Sequence, residues 1–540
     1  MSELREAVIL LLDAGKIVLP DALDFLKQSE DPLAAAQHFL KNNTDKRDVT
    51  SSDFKQNDIA VKTRIIKSGG VRRRVGGHTH TQIGSTIDER ITKTTPAPPK
   101  IVKTATPKVA KPDEHIIRTS LDELQGLSNY EPQLEVLDNY DEVVNFDTSL
   151  EDLVGYFQDR FRKLALIFRN RVDLVNIRNI GDLKRTESEV SVIGMVTDKQ
   201  FYPGRSGVLI LEDPVSDGTL HVIIPKSNPP LLEEALRIMN DTVICIVGYL
   251  KQETLIAKEI LLPDIPTIRD RNRTEEAIHV AFLSDIHVGS KNFLNQPLDK
   301  FVDFLNGRYG GKKLQALGSQ TKYVMFSGDV VDGVGIYPNQ ISDLAIYSIR
   351  EQYSEFARFV DRIPEDVQIV IIPGNHDMVR SAEPQPRIEP EYSPDLEAMK
   401  NVHMLSNPSQ VAVHGVQILL YHCTSMPDII NHIPGMDMNK PHEVMKQMLK
   451  ARHLAPIWGS KTPIVAESKD HLVIDRIPDI FHGGHIHING EGFYRGVQII
   501  NSGTMQSQTS FQKSLNIDPT PGQISLINLK SFRASRLMLM

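Results

Sequence analysis

Near the C-terminal end of the chain, the stretch HGGHIHING (482–490) contains three histidines in close succession. Imidazole is the commonest metal-ligating side chain in proteins, so a metal site is one interpretation of this stretch. A polar loop is the other, because a single histidine after a strand more often makes an ordinary hydrogen bond. Further Asp, Asn and His residues elsewhere in the chain would favour the metal site over the polar loop.

Four other stretches place the same kinds of side chain directly after apolar runs. They are HVAFLSDIH (279–287), YVMFSGDVVD (323–332), VQIVIIPGNHD (367–377) and VQILLYH (416–422). Apolar runs joined by helical patterns predict buried, largely parallel strands, and their carboxyl ends form the edge at which α/β sheets bind ligands. The mixture of Asp, Asn and His suits a first-row divalent ion such as Mn²⁺ better than Ca²⁺, which prefers an all-oxygen set.

Composition and apolar spacing divide the chain into five segments. These are a helical module (1–43), a disordered basic linker (44–120), an acidic segment with a helix (121–175), a small β-barrel (176–270) and an α/β domain (275–540). The linker is predicted to be disordered because it can bury little apolar area. The linker and the acidic stretch after it are interpreted as solvated tails that attract each other. The alternative is a basic arm that contacts a phosphate backbone.

The helices and strands within these segments can be predicted from the spacing of their apolar residues. Residues 150–168 and 343–363 have helical patterns, and QISLINLK (523–530) is predicted to be a final strand. Between 189 and 270, three strands, one helix and two further strands suggest an oligonucleotide/oligosaccharide-binding (OB) barrel. The barrel strands lack an obvious set of exposed aromatic residues. Docking of a partner is therefore as good an interpretation of the barrel as binding of single strands.

Bulk properties exclude several classes of protein. The net charge is −8, so contact with nucleic acid has to be local. The two cysteines, Cys245 and Cys423, exclude a disulfide framework and a cysteine zinc site. The apolar run near the N-terminus is short and interrupted by charge, so neither a secretory signal nor a membrane span is predicted. We expect a cytoplasmic protein.

The motif series D-x-H, G-D-x-x-D, G-N-H-D, a lone His and G-H-x-H resembles that of the calcineurin-like, binuclear metallophosphoesterases. With the helical N-terminus, the linker and the barrel, the chain resembles more narrowly the small subunits of archaeal family D DNA polymerases. The stretch NSGTMQSQTSFQ (501–512) is also similar to those subunits. The resemblance implies an α/β fold, a calcineurin-like metallophosphoesterase sandwich preceded by an OB-fold β-barrel and a helical module.

The resemblance also implies two divalent metal ions that are bridged by Asp329. One ion would be completed by Asp285, His287 and His487, and the other by Asn375, His422 and His485. Mn²⁺ is the expected metal, with Mg²⁺, Fe²⁺ or Zn²⁺ as alternatives. Cys423 stands where the family pattern would have glycine, so that His422 is the ligand with the least regular surroundings.

The resemblance also implies roles for three further residues near the metals. His376 is expected near the scissile phosphate, where it would stabilise charge or protonate the leaving oxygen, and Asp377 is expected to orient the His376 ring. Asp332 is expected to hold the loop that follows Asp329. His482 lies outside the G-H-x-H pattern and is predicted not to be a ligand.

The activity that the resemblance implies is 3′→5′ exonuclease proofreading of a DNA 3′ end, beside a large catalytic polymerase subunit. A catalytically silent scaffold subunit is the alternative, although every ligand position is filled. A phosphatase on the same fold is disfavoured, because Gly333 and Asp377 stand where such enzymes typically have Arg and Glu. A simple single-strand-binding protein would not need the metal series.

Overall fold

The structure of the chain is a computed structural model. It describes residues 32–42, 115–118, 130–140, 148–183, 189–216 and 218–540, together with positions 7, 10, 11, 17, 18, 26, 48, 49 and 124. Two compact units, Met1–Ala105 and Thr106–Met540, are distinct. Most of the predicted basic linker, 44–120, lies outside the described residues.

The described residues of the first unit include helix α1 and a short pair of strands. Helix α1 (Pro32–Asn42) begins at a proline and buries Phe39 together with two alanines; most of the predicted helical module 1–43 lies outside the described residues. Strands β1 (Ile17–Val18) and β2 (Asp48–Val49) pair in parallel.

In the second unit, the described residues include a short strand, β3 (Leu134–Asp138), and a long helix, α2 (Leu150–Arg169). A capping box starts α2, in which the Ser149 hydroxyl accepts from the main-chain N–H of Asp152 and the Asp152 carboxylate accepts from that of Ser149. The helix predicted at 150–168 is confirmed.

The barrel follows directly. Its elements are β4 (Ile177–Arg178), β5 (Glu189–Gln200), β6 (Gly207–Asp213), β7 (Gly218–Ile224), α3 (Pro229–Leu236), β8 (Val243–Lys251) and β9 (Thr254–Leu261). Strands β5, β6, β7, β9 and β8 pair in that order, and β8 pairs back to β5, so these five strands form a closed barrel. Closure leaves no free edge among the five strands. The predicted order of strands and helix is confirmed.

The remaining elements build the α/β domain. Its strands are β10 (His279–Leu283), β11 (Thr321–Ser327), β12 (Gln368–Ile372), β13 (Val402–Met404), β14 (Ser409–Val413), β15 (Val416–Leu420), β16 (Ile480–Gly483), β17 (Gly490–Tyr494), β18 (Val497–Asn501), β19 (Gln523–Asn528) and β20 (Ala534–Met538). Its helices are α4 (Asn295–Leu305), α5 (Lys312–Ser319), α6 (Ile349–Val360), α7 (Pro394–Glu397), α8 (Met426–His432), α9 (Pro441–Ala451) and α10 (Ser510–Ser514).

Together with β3, these strands form two six-stranded sheets that face each other. The first has the order β13-β12-β11-β10-β19-β20, and its strands from β13 to β10 are parallel. The second has the order β17-β18-β16-β15-β14-β3, in which β15, β16 and β18 are parallel. Apolar residues from both sheets, such as Phe282, Met325, Ile418 and Ile480, form one core between them. Helices pack on the outer faces, with α4 and α6 on the first sheet and α8 and α9 on the second.

The structure corrects four expectations. The acidic segment is not simply a solvated tail, because β3 is the edge strand of the second sheet and pairs with β14. Residues 115–118 of the predicted linker are also ordered, and Ile116 pairs with Arg536 of β20. Both pairings join positions far apart in sequence, which local composition cannot reveal. The helix predicted at 343–363 is shorter and spans α6. QISLINLK forms β19 but is not the final strand, since β20 follows.

Among the described residues, no helix is long and apolar enough to span a membrane.

Candidate metal centre

Five strand ends deliver the predicted site residues to one place. Strands β10, β11 and β12 lead into the loops that carry Asp285, Asp329 and Asn375, and β15 and β16 lead to His422 and His485. Because the strands within each set are parallel, their carboxyl ends lie at the same edge of their sheet. The facing arrangement of the two sheets brings both edges together.

Most of the predicted ligands have left-handed backbone conformations that residues other than glycine rarely adopt. Their φ values are 55° at Asp285, 55° at His287, 53° at Asp329, 72° at His485 and 63° at His487. Such backbone strain persists only where surrounding contacts hold it, and it concentrates at functional sites. Here the main-chain N–H of Asp285 donates to the Gly328 carbonyl, and that of His287 to the Asp329 carbonyl. The two ligand-bearing turns therefore stabilise each other.

The first group of converging atoms comes from Asp285, His287 and His487. The two Nε2 atoms of the histidines are 3.0 Å apart, and Nε2 of His487 is 3.3 Å from Oδ1 of Asp285. All three side chains are buried. Burial above all lowers the pKa of His287, which keeps its imidazole neutral and able to ligate a metal.

The second group comes from Asp329, His422 and His485, together with Asn375. Nε2 of His422 is 3.3 Å from Oδ2 of Asp329 and 3.1 Å from Oδ1 of Asn375, and Nδ1 of His485 is 2.9 Å from the same amide oxygen. Burial, followed by the positive charge of His422, lowers the pKa of His485 to about 3. These four side chains can hold a second ion.

Asp329 lies between the two groups. Its Oδ2 atom is 3.3 Å from Nε2 of His422 in one group and 3.9 Å from Nε2 of His287 in the other. Burial opposes ionisation of this carboxyl group, yet the neighbouring histidines, first of all His422, hold its pKa well below the usual range. An ionised carboxylate in this position can contact two cations at once.

The donor set fits divalent metal ions. Oδ1 of Asp285 is buried and has no hydrogen-bond partner among the described residues, as expected for an atom reserved for a cation. The Nδ1 atom of His287 faces Asp332 at 3.1 Å, and that of His422 faces the Ser327 carbonyl at 2.7 Å. Each Nδ1 can donate to that oxygen, which leaves Nε2 directed at the site. Although burial opposes it, the negative charge of Asp329 raises the pKa of His422 to about 10, so an ion bound there would displace the proton on Nε2.

Cys423 adopts a conformation that glycine would adopt without strain. Its φ is 76°, its side chain is buried, and its thiol donates to the Tyr421 carbonyl oxygen. The main chain there is left-handed, as glycine would permit, and His422 still reaches Asp329. The substitution of cysteine for the expected glycine thus leaves the ligand in place.

Gly483 and Gly484 allow the backbone to pass close to the site. A Cβ atom on Gly484 would overlap the Ser284 side chain and would lie 2.7 Å from Oδ2 of Asp285, while one on Gly483 would lie 2.5 Å from Sγ of Cys423. His482, on β16, points elsewhere and bonds through Nε2 to the Ser502 hydroxyl at 2.8 Å. The structure thus separates His482 from the converging residues, as the sequence predicted.

His376 lies beside the first group without joining it. Its ring centroid is 4.7 Å from that of His287, and its main-chain N–H donates to Oδ1 of Asp329 at 2.8 Å. Nδ1 of the ring donates to the main-chain carbonyl of Asp332 at 2.7 Å. Nε2 is therefore the ring nitrogen left outside this bond, and the half-buried side chain remains accessible to a substrate.

The expectation that Asp377 orients the ring of His376 is wrong. The Asp377 carboxylate accepts instead from the main-chain N–H groups of Gly374 and Val330 and from the Tyr353 hydroxyl, at 2.8, 3.4 and 3.1 Å. Burial and the negative charge of Asp329 raise the pKa of Asp377. Asp377 therefore fixes the loop after β12, and the ring of His376 is positioned by a main-chain carbonyl.

Asp332 has more contacts than expected. Besides its carbonyl bond to His376, its carboxylate faces Nδ1 of His287, and the buried amide of Gln506 donates to the same carboxylate at 3.2 Å. Gln512 on α10 lies 2.8 Å from Nδ1 of His487. Sequence reasoning did not assign either glutamine, although both are within the stretch 501–512 that resembles the small subunits.

Comparison with known proteins places this site in a family. A sequence model for the B subunits of DNA polymerases alpha and epsilon matches residues 280–487. The DNA polymerase II small subunit of Methanothermobacter thermautotrophicus is 42% identical over 377 residues, which are 70% of this chain and 77% of that protein. The chain belongs to the archaeal DNA polymerase II small-subunit family. The subunit from Archaeoglobus fulgidus is 43% identical over 378 residues, 70% of this chain and 75% of its own length.

Membership of the DNA polymerase II small-subunit family confirms the narrower of the two resemblances found in the sequence. The matched range 280–487 runs from β10 to His487, so it contains every residue of the two groups. Likeness to solved structures is weaker. Zinc-bound Vps29 from Entamoeba histolytica is 14% identical, with 48% of this chain and 90% of that chain covered and a TM-score of 0.26, which is too low to establish a common fold.

Proposed function

We propose that this small subunit is a metal-dependent 3′→5′ DNA exonuclease that proofreads for the polymerase. The observation that carries the proposal is the position of Asp329 between two groups of buried Asp, Asn and His side chains. Mixed oxygen and nitrogen ligands of this kind favour Mn²⁺ or a similar first-row ion. We assign the α/β domain to the calcineurin-like metallophosphoesterases on the same grounds, with two facing sheets and the site at their carboxyl edges.

The proposed ligand sets are those expected from the sequence. Asp285, His287 and His487 would hold one ion, the second would be held by Asn375, His422 and His485, and Asp329 would contact both. When bound, a metal pair in this position activates a water molecule and neutralises charge on a phosphate group. The buried, pre-ordered ligands lower the reorganisation needed for that chemistry.

His376 supplies the remaining chemistry from the protein itself. Its Nδ1 is engaged with a main-chain carbonyl, so Nε2 is the atom that can approach a substrate. A protonated Nε2 can stabilise negative charge on a phosphodiester and can donate its proton to the departing 3′ oxygen. The side chain is positioned beside the proposed ligands and remains partly exposed, as this role requires.

The substrate and partner follow from the family. The relatives are small subunits of DNA polymerase II, so we propose that this chain assembles with a large catalytic subunit and acts on the 3′ end of DNA. An unpaired 3′ end fits a half-exposed site better than duplex, because single strands can bend into it. Removal of one nucleotide at a time from that end corrects misinsertions.

The test is release of mononucleotides from a 3′-labelled strand by the purified chain, alone and with the large subunit. We expect release in the presence of Mn²⁺ and none in EDTA. Metal content of the purified protein is measured alongside, with two ions per chain expected. Absence of nuclease activity with every divalent ion, together with tight assembly with the large subunit, would show that the chain is a scaffold.

A further inference from the structure

The loop between Asp332 and α6 displays apolar side chains next to the candidate metal centre. Its sequence is GVGIYPNQI (333–341), and Val334, Ile336, Tyr337 and Ile341 are all exposed large hydrophobic residues. Exposed apolar groups clustered on one loop of a soluble domain commonly mark a binding surface. We call these four residues the apolar loop.

The apolar loop is held in place by two buried glutamines. Gln340 donates to the Asp332 carbonyl at 2.7 Å and accepts from the main-chain N–H of Ile336 at 2.9 Å. Gln352 on α6 accepts from the N–H of Gly333 and donates to its carbonyl, at 2.9 and 3.2 Å. Because these hydrogen bonds fix its main chain, the loop presents its apolar side chains in a defined orientation.

Tyr337 is the member of the apolar loop nearest to the proposed chemistry. Its ring centroid is 6.4 Å from that of His376, and its hydroxyl donates to the Asp343 carboxylate at 3.1 Å. That bond anchors the polar edge of the ring. Gly333, at the base of the loop, packs so closely on the His376 carbonyl that a Cβ atom would overlap it. The loop and His376 therefore form one continuous surface.

We propose that Tyr337 stacks on the 3′-terminal base of the DNA strand and so selects strands whose last nucleotide is unpaired. This inference rests on the proposed exonuclease function. Aromatic side chains bind single-stranded nucleic acid by stacking, which does not depend on base identity because every base has a π-face. A base that is still paired in duplex cannot present that face to Tyr337. The ring therefore adds affinity for frayed or mismatched ends.

A protein partner is the other class of molecule that an apolar surface can bind. A permanent partner over Tyr337 would also cover the adjoining His376, whose half-exposed ring has to receive substrate. The Lys291 side chain, exposed beside this loop and bonded to the Ser342 carbonyl, adds a positive charge that suits a nucleic-acid strand. These observations favour DNA as the occupant.

The experiment measures stacking directly, without hydrolysis. The full-length chain is titrated in EDTA against a single strand that carries 2-aminopurine as its 3′-terminal nucleotide, whose fluorescence falls on stacking. We expect quenching with the wild-type protein and with Tyr337→Phe, which keeps the ring. With Tyr337→Ala we expect the quenching to be lost and the Kd to rise roughly tenfold.

Two controls make the result specific. Tyr202→Ala removes another exposed tyrosine, on the barrel, and should leave the terminal quenching unchanged. A strand with 2-aminopurine at an internal position should respond equally to wild-type and Tyr337→Ala protein. Unchanged terminal quenching in Tyr337→Ala, failure of Tyr337→Phe to retain it, or absence of strand binding by the wild type would each overturn the inference. So would a defect of Tyr337→Ala confined to assembly with the large subunit.

A kinetic comparison separates this inference from the proposed function. With Mn²⁺, wild-type protein should remove a normal 3′ nucleotide with a lower KM than an abasic one, and Tyr337→Ala should reduce that difference with little change in kcat on the abasic end. Quenching of the 3′-terminal 2-aminopurine without any nucleotide release would contradict the exonuclease proposal but support the stacking of Tyr337 on the base. Nucleotide release by Tyr337→Ala with an unchanged KM preference for a normal over an abasic end would contradict only the stacking proposal.

Discussion

Nδ1 of His376 lies 2.7 Å from the main-chain carbonyl oxygen of Asp332, and this contact decides how the candidate active site is arranged. A carbonyl oxygen only accepts, so Nδ1 must carry a proton and Nε2 is the atom left for a substrate. The carboxylate of the same residue, Asp332, faces His287. One residue therefore orients both a proposed ligand and the proposed proton donor.

Replacement of His376 by alanine should remove catalysis and leave the metals bound. We expect kcat for nucleotide release to fall by about 10²- to 10⁴-fold, the usual contribution of a general acid. Metal content should not change, because His376 lies outside both ligand groups. His432→Ala is the matched control, since His432 also bonds through Nδ1 to a main-chain carbonyl but lies on α8. Equal loss in both variants would contradict the assigned role.

Metal binding should stabilise the domain, and Asp329 should be required for it. A ligand present at a hundred times its Kd stabilises the folded state by about 2.7 kcal/mol, so Mn²⁺ should raise the Tm of the wild-type chain. Asp329→Asn keeps the shape of the side chain but removes its charge, and we expect most of the Mn²⁺-dependent rise to disappear. Asp366→Asn, at an exposed carboxylate, should respond as the wild type does. Equal rises in all three proteins would mean that the ions bind elsewhere.

A methyl group at Gly484 should displace the first ligand group. In Gly484→Ala the added Cβ would overlap Ser284 and press on the Asp285 carboxylate. A displacement of about 1 Å at a reacting centre can reduce the rate about 100-fold, and we expect a loss of that order together with lower metal content. Gly311→Ala is the control, because a Cβ there meets nothing within 4 Å. Full activity of Gly484→Ala would show that the close packing of Gly484 against Ser284 and Asp285 does not constrain the site.

Helix α2 should depend on a single buried ion pair for its attachment to the α/β domain. The Arg160 guanidinium is fully buried and donates to the Asp470 carboxylate at 2.7 Å. Arg160→Ala would leave that carboxylate without its principal cation, and we expect the free energy of unfolding to fall by about 3–5 kcal/mol in chemical denaturation. Arg162→Ala, two residues further along at an exposed position, should cost less than about 1 kcal/mol. Similar losses in both variants would argue against a special role for Arg160.

The same cluster should make the protein sensitive to acid. Nε2 of His453 donates to Asp470, Nδ1 accepts from the N–H of Ala455, and burial lowers the pKa of His453 to about 4. The unfolded histidine takes up its proton near pH 6.5, so stability is complete above that value and is lost as the pH falls toward 4. The loss from this group is about 3 kcal/mol. His453→Gln should flatten the fall in unfolding free energy between these pH values, and an unchanged slope would exclude His453 as its source.

Residue types at strand ends were enough to predict that these loops lie at one edge, whereas the choice of candidate ligands came from the family resemblance. Each candidate ligand follows an apolar run within a few residues, so the local pattern of β10, β11, β12, β15 and β16 predicted that these side chains lie at one edge. The barrel and α2 were predictable for the same reason, since alternation and helical spacing are local properties.

Tertiary structure alone decided which groups support those ligands. The ring of His287 meets that of His487 across 200 positions of sequence. Asp332, Asp377 and Gln512 likewise contact residues in other segments, namely His287, Val330 and His487. No periodicity encodes such contacts. The acidic residues of β3 likewise gave no sign that they would pair with β14. The sequence by itself determined the chemistry of the ligands, and packing of the two sheets decided their partners, because hydrogen bonds between distant loops form only when the strands bring them within reach.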